Sequence, residues 1–226
     1  MIAFTTPYLW YTSRATGVVA LVLLTATVTL GTMVATRVGG RAVGRFEINE
    51  IHRSISMITM LFVAIHVLTT VVDSYVPIGV FSALVPFTSD YRRLPVAVGT
   101  IAIDLMLAVW VSSMVKDRLR NATWRYIHYL SWLSLAAALL HGFTVGSDAH
   151  RLWMIVVQVA CLVVAIAAGL WRITQRPDRA AGRTAHSPLS RAQTAPATPA
   201  KARTSVPRSE PPRRTPPPAP RPRGRR

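Results

Sequence analysis

Five stretches of the chain are each long and apolar enough to cross a lipid bilayer, and that feature leaves few architectures open. Residues 15–36 carry no charge, residues 54–72 carry none after Arg53, and residues 95–115 contain only Asp104. Residues 126–146 and 152–171 are free of Lys, Arg, Asp and Glu. A helix rises ~1.5 Å per residue, so about 20 apolar residues cover a hydrocarbon layer ~30 Å thick. The expected fold class is all-α: an integral membrane bundle of five transmembrane helices, the second beginning near Asn49. The start, MIAFTTPYLWYTSRATG, lacks the basic opening and cleavage pattern of a signal peptide, so the first span is read as retained. Tyr8, Trp10 and Tyr11 precede it, as interfacial aromatics do.

Basic residues in short loops set the orientation. The first loop offers Arg37, Arg41 and Arg45, with Arg53 at the next helix start, and the third offers Lys116, Arg118, Arg120 and Arg125. The second loop mixes Asp73, Asp90, Arg92 and Arg93, and the fourth has Asp148 and Arg151. The first and third loops are therefore expected in the cytoplasm, with the N-terminus outside and the C-terminus inside. The second loop is long and aromatic, with Pro77 and Pro86, and reads either as a short interfacial helix or as a plain connection.

The net charge of +17 is polarised, because half of all Lys and Arg and most Pro follow Gln175. This part has almost no large apolar side chain and cannot offset its ordering entropy by burial. Residues 174–226 are expected to be a disordered, Pro/Arg-rich cytoplasmic tail, held near the anionic inner leaflet rather than on nucleic acid. Cys161 is the only cysteine, which excludes a disulfide framework and a cysteine-based metal site.

Within this scaffold stand two histidine pairs. His52 and His66 lie fourteen residues apart in the second apolar helix, and His128 and His141 lie thirteen apart in the fourth. Each pair spans roughly 20 Å along its axis, one histidine near each face of the membrane. The loop charges make these two helices parallel, so His52 faces His128 near the cytoplasm and His66 faces His141 near the outer face. Two opposed imidazoles are the axial ligand set of six-coordinate haem iron, and two levels make a two-haem path across the bilayer. At about 100° per residue, fourteen residues return to within ~40° of one face, whereas thirteen leave the second pair ~140° apart. The fourth span must bend, bulge, or present its histidines to different edges, and Gly142 is placed to ease this.

These residues, with the contexts IHR, RYIHYLSW and LLHG and the entry WYTSRATG, resemble the ferric reductase-like transmembrane domain family. The family includes the membrane parts of ferric reductases and NADPH oxidases and the haem subunit of a methionine sulfoxide reductase. The resemblance covers about residues 8–172 and implies a dihaem domain over residues 1–173. It implies two haem b groups, with His52/His128 on the inner iron and His66/His141 on the outer. Arg53 and Arg125 at the inner level, and Arg92 and Arg93 at the outer, are candidates for the haem propionates, with Arg14 and Arg151 also at the outer level. The chain departs from many relatives in having five apparent spans rather than six, and in carrying no flavin or nicotinamide domain. FAD or FMN and NAD(P)H thus belong to a separate partner, and the donor is a cytoplasmic flavoprotein reductase or membrane quinol. The expected setting is a bacterial cell membrane. The acceptor is ferric iron, oxygen or a periplasmic partner protein; a non-redox metal or proton transporter is the rival reading.

The remaining candidates are single residues. Asp104 sits mid-span, where a carboxyl either serves a histidine or a proton path or packs in its neutral form. His150 reads as a solvated loop residue, and His186 as part of the tail.

Overall fold

The computed structural model describes residues 7–36, 44–73, 78–145 and 148–175. Among them there are helices and no strands. They form α1 (Pro7–Ala35), α2 (Arg45–Val72), α3 (Val80–Leu84), α4 (Arg93–Met114), α5 (Asn121–Val145) and α6 (Leu152–Thr174), with a single 3-10 turn at Lys116–Arg118. The expectations for the tail beyond Gln175, and for Arg37 and Arg41 in the first loop, lie outside the described residues.

Four helices, α1, α2, α4 and α6, are long and apolar enough to cross a membrane. The stretch expected as the remaining span is helical too: it forms α5, an unbroken helix of 25 residues. It falls short of that apolarity because its two histidines and interspersed aromatic and serine side chains dilute the aliphatic ones. The second loop contributes α3, a helix of only five residues, so the short-helix reading of that loop is the one observed.

Local chemistry explains the helix ends. Gly44 precedes α2, and its amide donates to the Glu47 carboxylate at 2.8 Å, closing the first turn where an acidic side chain also opposes the helix dipole. Pro95 falls in the first turn of α4, where its missing N–H would have had no intrahelical partner. Inside α1 the hydroxyls of Thr12, Thr16, Thr25, Thr29 and Thr32, and just past its end that of Thr36, each donate to the carbonyl four residues earlier. A threonine-rich helix thereby satisfies its own polar groups, as a low-dielectric surrounding demands.

The bundle is apolar outside and partly polar inside. Four of the five largest fully buried side chains are Gln158, Thr32, Thr59 and Ser134, whereas Leu61, Leu68, Val163 and Ile166 stand more than half exposed. Lipid, not water, suits that surface.

Two antiparallel hairpins make the scaffold: α2 packs along α1, and α5 along α4, while α6 lies mainly on α1. Leu21, Leu24 and Val28 of α1 meet Met106, Leu135, Leu139 and the buried Cys161 in the common core. Ser134 on α5 donates across to the Ala102 carbonyl of α4 at 2.8 Å. Because that carbonyl keeps its own helical bond, Ser134→Ala removes one interhelical hydrogen bond and orphans nothing. A cost of about 1 kcal/mol is expected, read as a small loss of stability in detergent. At one end of the bundle, Arg14 of α1 pairs with Asp148 in the turn before α6 and lies 4.0 Å over the Trp10 ring.

Candidate functional site

The four histidines come together as two facing pairs. The His52 and His128 ring centroids are 6.2 Å apart, and those of His66 and His141 are 6.5 Å apart, with ring planes crossed at 67° and 80°. His52 and His128 come first on their helices and share one level; His66 and His141 share the other. That makes α2 and α5 parallel. Two imidazoles on one metal, with nitrogen–metal bonds of about 2.0–2.1 Å as in zinc sites and ring centroids about 1.1 Å further back, would sit roughly 6.3 Å apart. Both pairs match that separation.

Three of the rings are held by the same device. The Nδ1–H of His66 donates to the Ser13 carbonyl at 2.7 Å, that of His52 to the Thr27 carbonyl at 3.0 Å, and that of His141 to the Pro95 carbonyl at 2.9 Å. A carbonyl can only accept, so Nδ1 carries the proton and Nε2 is left with a free lone pair, the form that binds a metal. In each case the residue four positions beyond the accepting carbonyl is a glycine: Gly17, Gly31 and Gly99. In a helix that fourth residue covers the carbonyl, and only glycine leaves room for a ring to reach it. An added Cβ would fall 3.0 Å from His66, 3.2 Å from His52 and 2.4 Å from His141.

On α1 these seats repeat at fourteen residues, Ser13/Gly17 and Thr27/Gly31, matching the fourteen-residue spacing of His52 and His66 on the antiparallel α2. The hydroxyls of the same two seat residues also tie the hairpin together, Ser13 with Thr70 at 2.6 Å and Thr27 with Thr59 at 3.2 Å. This repeat is legible in the sequence, but it becomes a signal only once α1 is known to lie against α2.

His128 and His141 both reach their partners although thirteen residues separate them and α5 neither breaks nor bulges. They do so with different surroundings: His128 Nδ1 is buried without a hydrogen-bond partner among the described residues.

The other candidates scatter. Arg92 donates to the Thr144 carbonyl at 2.9 Å and Arg93 to the Phe87 carbonyl at 2.7 Å, tying the start of α4 to its neighbours. Arg53 and Arg125 are exposed, next to His52 and three residues before His128. Asp104 is partly buried on α4, and the three histidine N–H groups that are bonded go to carbonyls rather than to it. His150 is exposed. On the same side of α2 as His66's neighbours, α2, α3 and α4 border an open apolar groove of about 360 Å³ lined by Val63, Val67, Val80 and Ile103 among others.

Among the described residues no group of three or more His, Cys, Asp and Glu converges. The pairs therefore suit a metal that needs two protein ligands and brings its others with it, as a porphyrin does. The residues present fit haem: paired imidazole rings at the right separation, three of them with Nε2 left free, and glycine-lined ring seats.

An all-helical membrane bundle with two facing imidazole pairs defines a class, that of membrane proteins with paired histidines between their helices. A family model described as ferric reductase like transmembrane component matches residues 16–145, more than half of the chain, and the protein belongs to that family. Domains of this family typically bind haem, and membership indicates electron transfer at a membrane. Neither the curated proteins nor the solved structures yield a match.

Proposed function

We propose that the chain is a transmembrane b-type cytochrome with two haems, one held by His52 and His128 and the other by His66 and His141. The observation that carries this reading is the pair of facing imidazole sets, each at the separation one metal requires, with three of four rings oriented by backbone carbonyls. When bound, the haems would supply one-electron redox chemistry. The chain's part is to present Nε2 from fixed rings, exclude water with apolar walls and hold the two levels a fixed distance apart. α5 serves as the fifth span, with the N-terminus outside and the His52/His128 level toward the cytoplasm. A cytoplasmic flavoprotein or membrane quinol donates, and ferric iron, oxygen or a periplasmic partner protein accepts. Arg53 and Arg125, exposed at the inner level, are the propionate partners, Arg125 from beside the Tyr129 hydroxyl; Arg92 and Arg93 are engaged by backbone carbonyls.

The test is an oxidised-minus-reduced spectrum of protein purified with adequate haem supply, with haem quantified per chain. Two b-type haems per chain are expected. Colourless protein would sink the reading and favour a transporter.

A further inference from the structure

The fourth histidine is seated differently from the other three. Along α4, the Pro95 carbonyl accepts from His141 and the Ala102 carbonyl from Ser134, contacts seven residues apart on both helices. Continuing the register, the next pairing is Val109 with Ile127, not with His128. The thirteen-residue spacing thus turns His128 one position, about 100°, away from the stripe of α4 that anchors His141. The Val109 carbonyl is also already taken. Where the other seats have glycine four residues on, this one has Ser113, whose hydroxyl donates to Val109 at 2.8 Å, and Ser112 donates to it at 2.9 Å.

What His128 has instead is Trp124, one turn earlier on α5. The two rings lie 4.9 Å apart, tilted by only 30°, and the Lys116 ammonium lies over the indole, 4.4 Å from its centre. Arg172 of α6 lies 5.0 Å from the ring of Tyr129, the residue after His128.

We infer that Trp124 is the positioning residue for His128, and that the His52/His128 haem, with one anchored and one unanchored imidazole, has a higher reduction potential than the His66/His141 haem. This deepens the two-haem reading above and rests on it. An Nδ1–H bonded to a carbonyl makes Nε2 the stronger donor and favours the oxidised iron. His128 lacks that acceptor, so its site favours the oxidised state less. Lys116 and Arg172 act in the same direction, because nearby positive charge favours the reduced, less positive centre.

The test uses the haem-loaded, full-length protein. Redox titrations of His66→Ala, which keeps the His52/His128 haem, and of His52→Ala, which keeps the other, assign the two steps of the wild-type curve. The His52/His128 step is expected at the higher potential; equal or reversed potentials overturn the inference. Electron paramagnetic resonance then separates positioning from mere packing. Trp124→Phe keeps a ring against His128 and should leave both low-spin signals in place. Trp124→Ala should shift or abolish the His52/His128 signal alone. Signals unchanged in Trp124→Ala, or both lost together in Trp124→Phe, overturn it. A wild-type protein without haem fails the earlier reading instead, and the two failures are thus distinct.

Discussion

Replacing His66 or His128 with alanine is expected to remove one of the two proposed haems and leave the other. Each variant deletes one imidazole of a facing pair, which halves the protein ligation at that level and exposes the site, so that haem is expected to be lost on purification. The two levels lie roughly 20 Å apart along the helices, so loss at one leaves the ligand geometry of the other untouched. The fold should survive in both, because the helices are held by the core around Leu24, Leu135 and Cys161 rather than by the rings. His66→Ala forfeits the bond to Ser13, but the Ser13–Thr70 contact still joins that end of the hairpin. The readout is haem per chain together with the difference spectrum, and half the wild-type value is expected in each variant. Full haem content in either would remove that histidine from the ligand set, and complete loss in both would show one shared site instead of two.

A methyl group on Gly99 should empty the His66/His141 site almost as thoroughly as losing a histidine. The Cβ of Gly99→Ala would lie 2.4 Å from His141 Nδ1, inside any tolerable contact, so the ring must turn away. In turning it loses the Pro95 carbonyl and carries Nε2 off the line to His66. The corresponding distances at Gly17 and Gly31 are 3.0 and 3.2 Å, which ask for shifts of a few tenths of an ångström. The expected order of haem loss is therefore Gly99→Ala, then Gly17→Ala, then Gly31→Ala. Gly79→Ala, where an added Cβ meets nothing within 4 Å, serves as the silent control. Haem content at each level, assigned by spectrum, checks the series; a uniform effect across the three would mean that ring seating does not govern loading.

Much of the site is legible in the amino-acid sequence. Apolar runs of about 20 residues dictate helices wherever the surroundings cannot hydrogen-bond the backbone, and all five expected runs are helical. The histidine spacings place two levels on two helices, and the facing pairs occur at those levels. The candidate cations are less legible. A run of arginines states charge but not direction, and the packing of the helices is what turns Arg92 and Arg93 onto backbone carbonyls. Asp104 stands out by its cost in an apolar span, yet the histidine N–H groups that find partners are bonded to carbonyls instead.

The thirteen-residue spacing shows where the boundary falls. The order of residues alone dictates that His128 and His141 cannot share one helix face, because helical rotation is a local property of the backbone. It does not say which of the two loses its anchor. That depends on which carbonyls of α4 face α5, and on whether the covering residue is Gly99 or Ser113. Both are matters of register between helices distant in sequence. The spacing is written in the chain; the seat exists only when two helices meet.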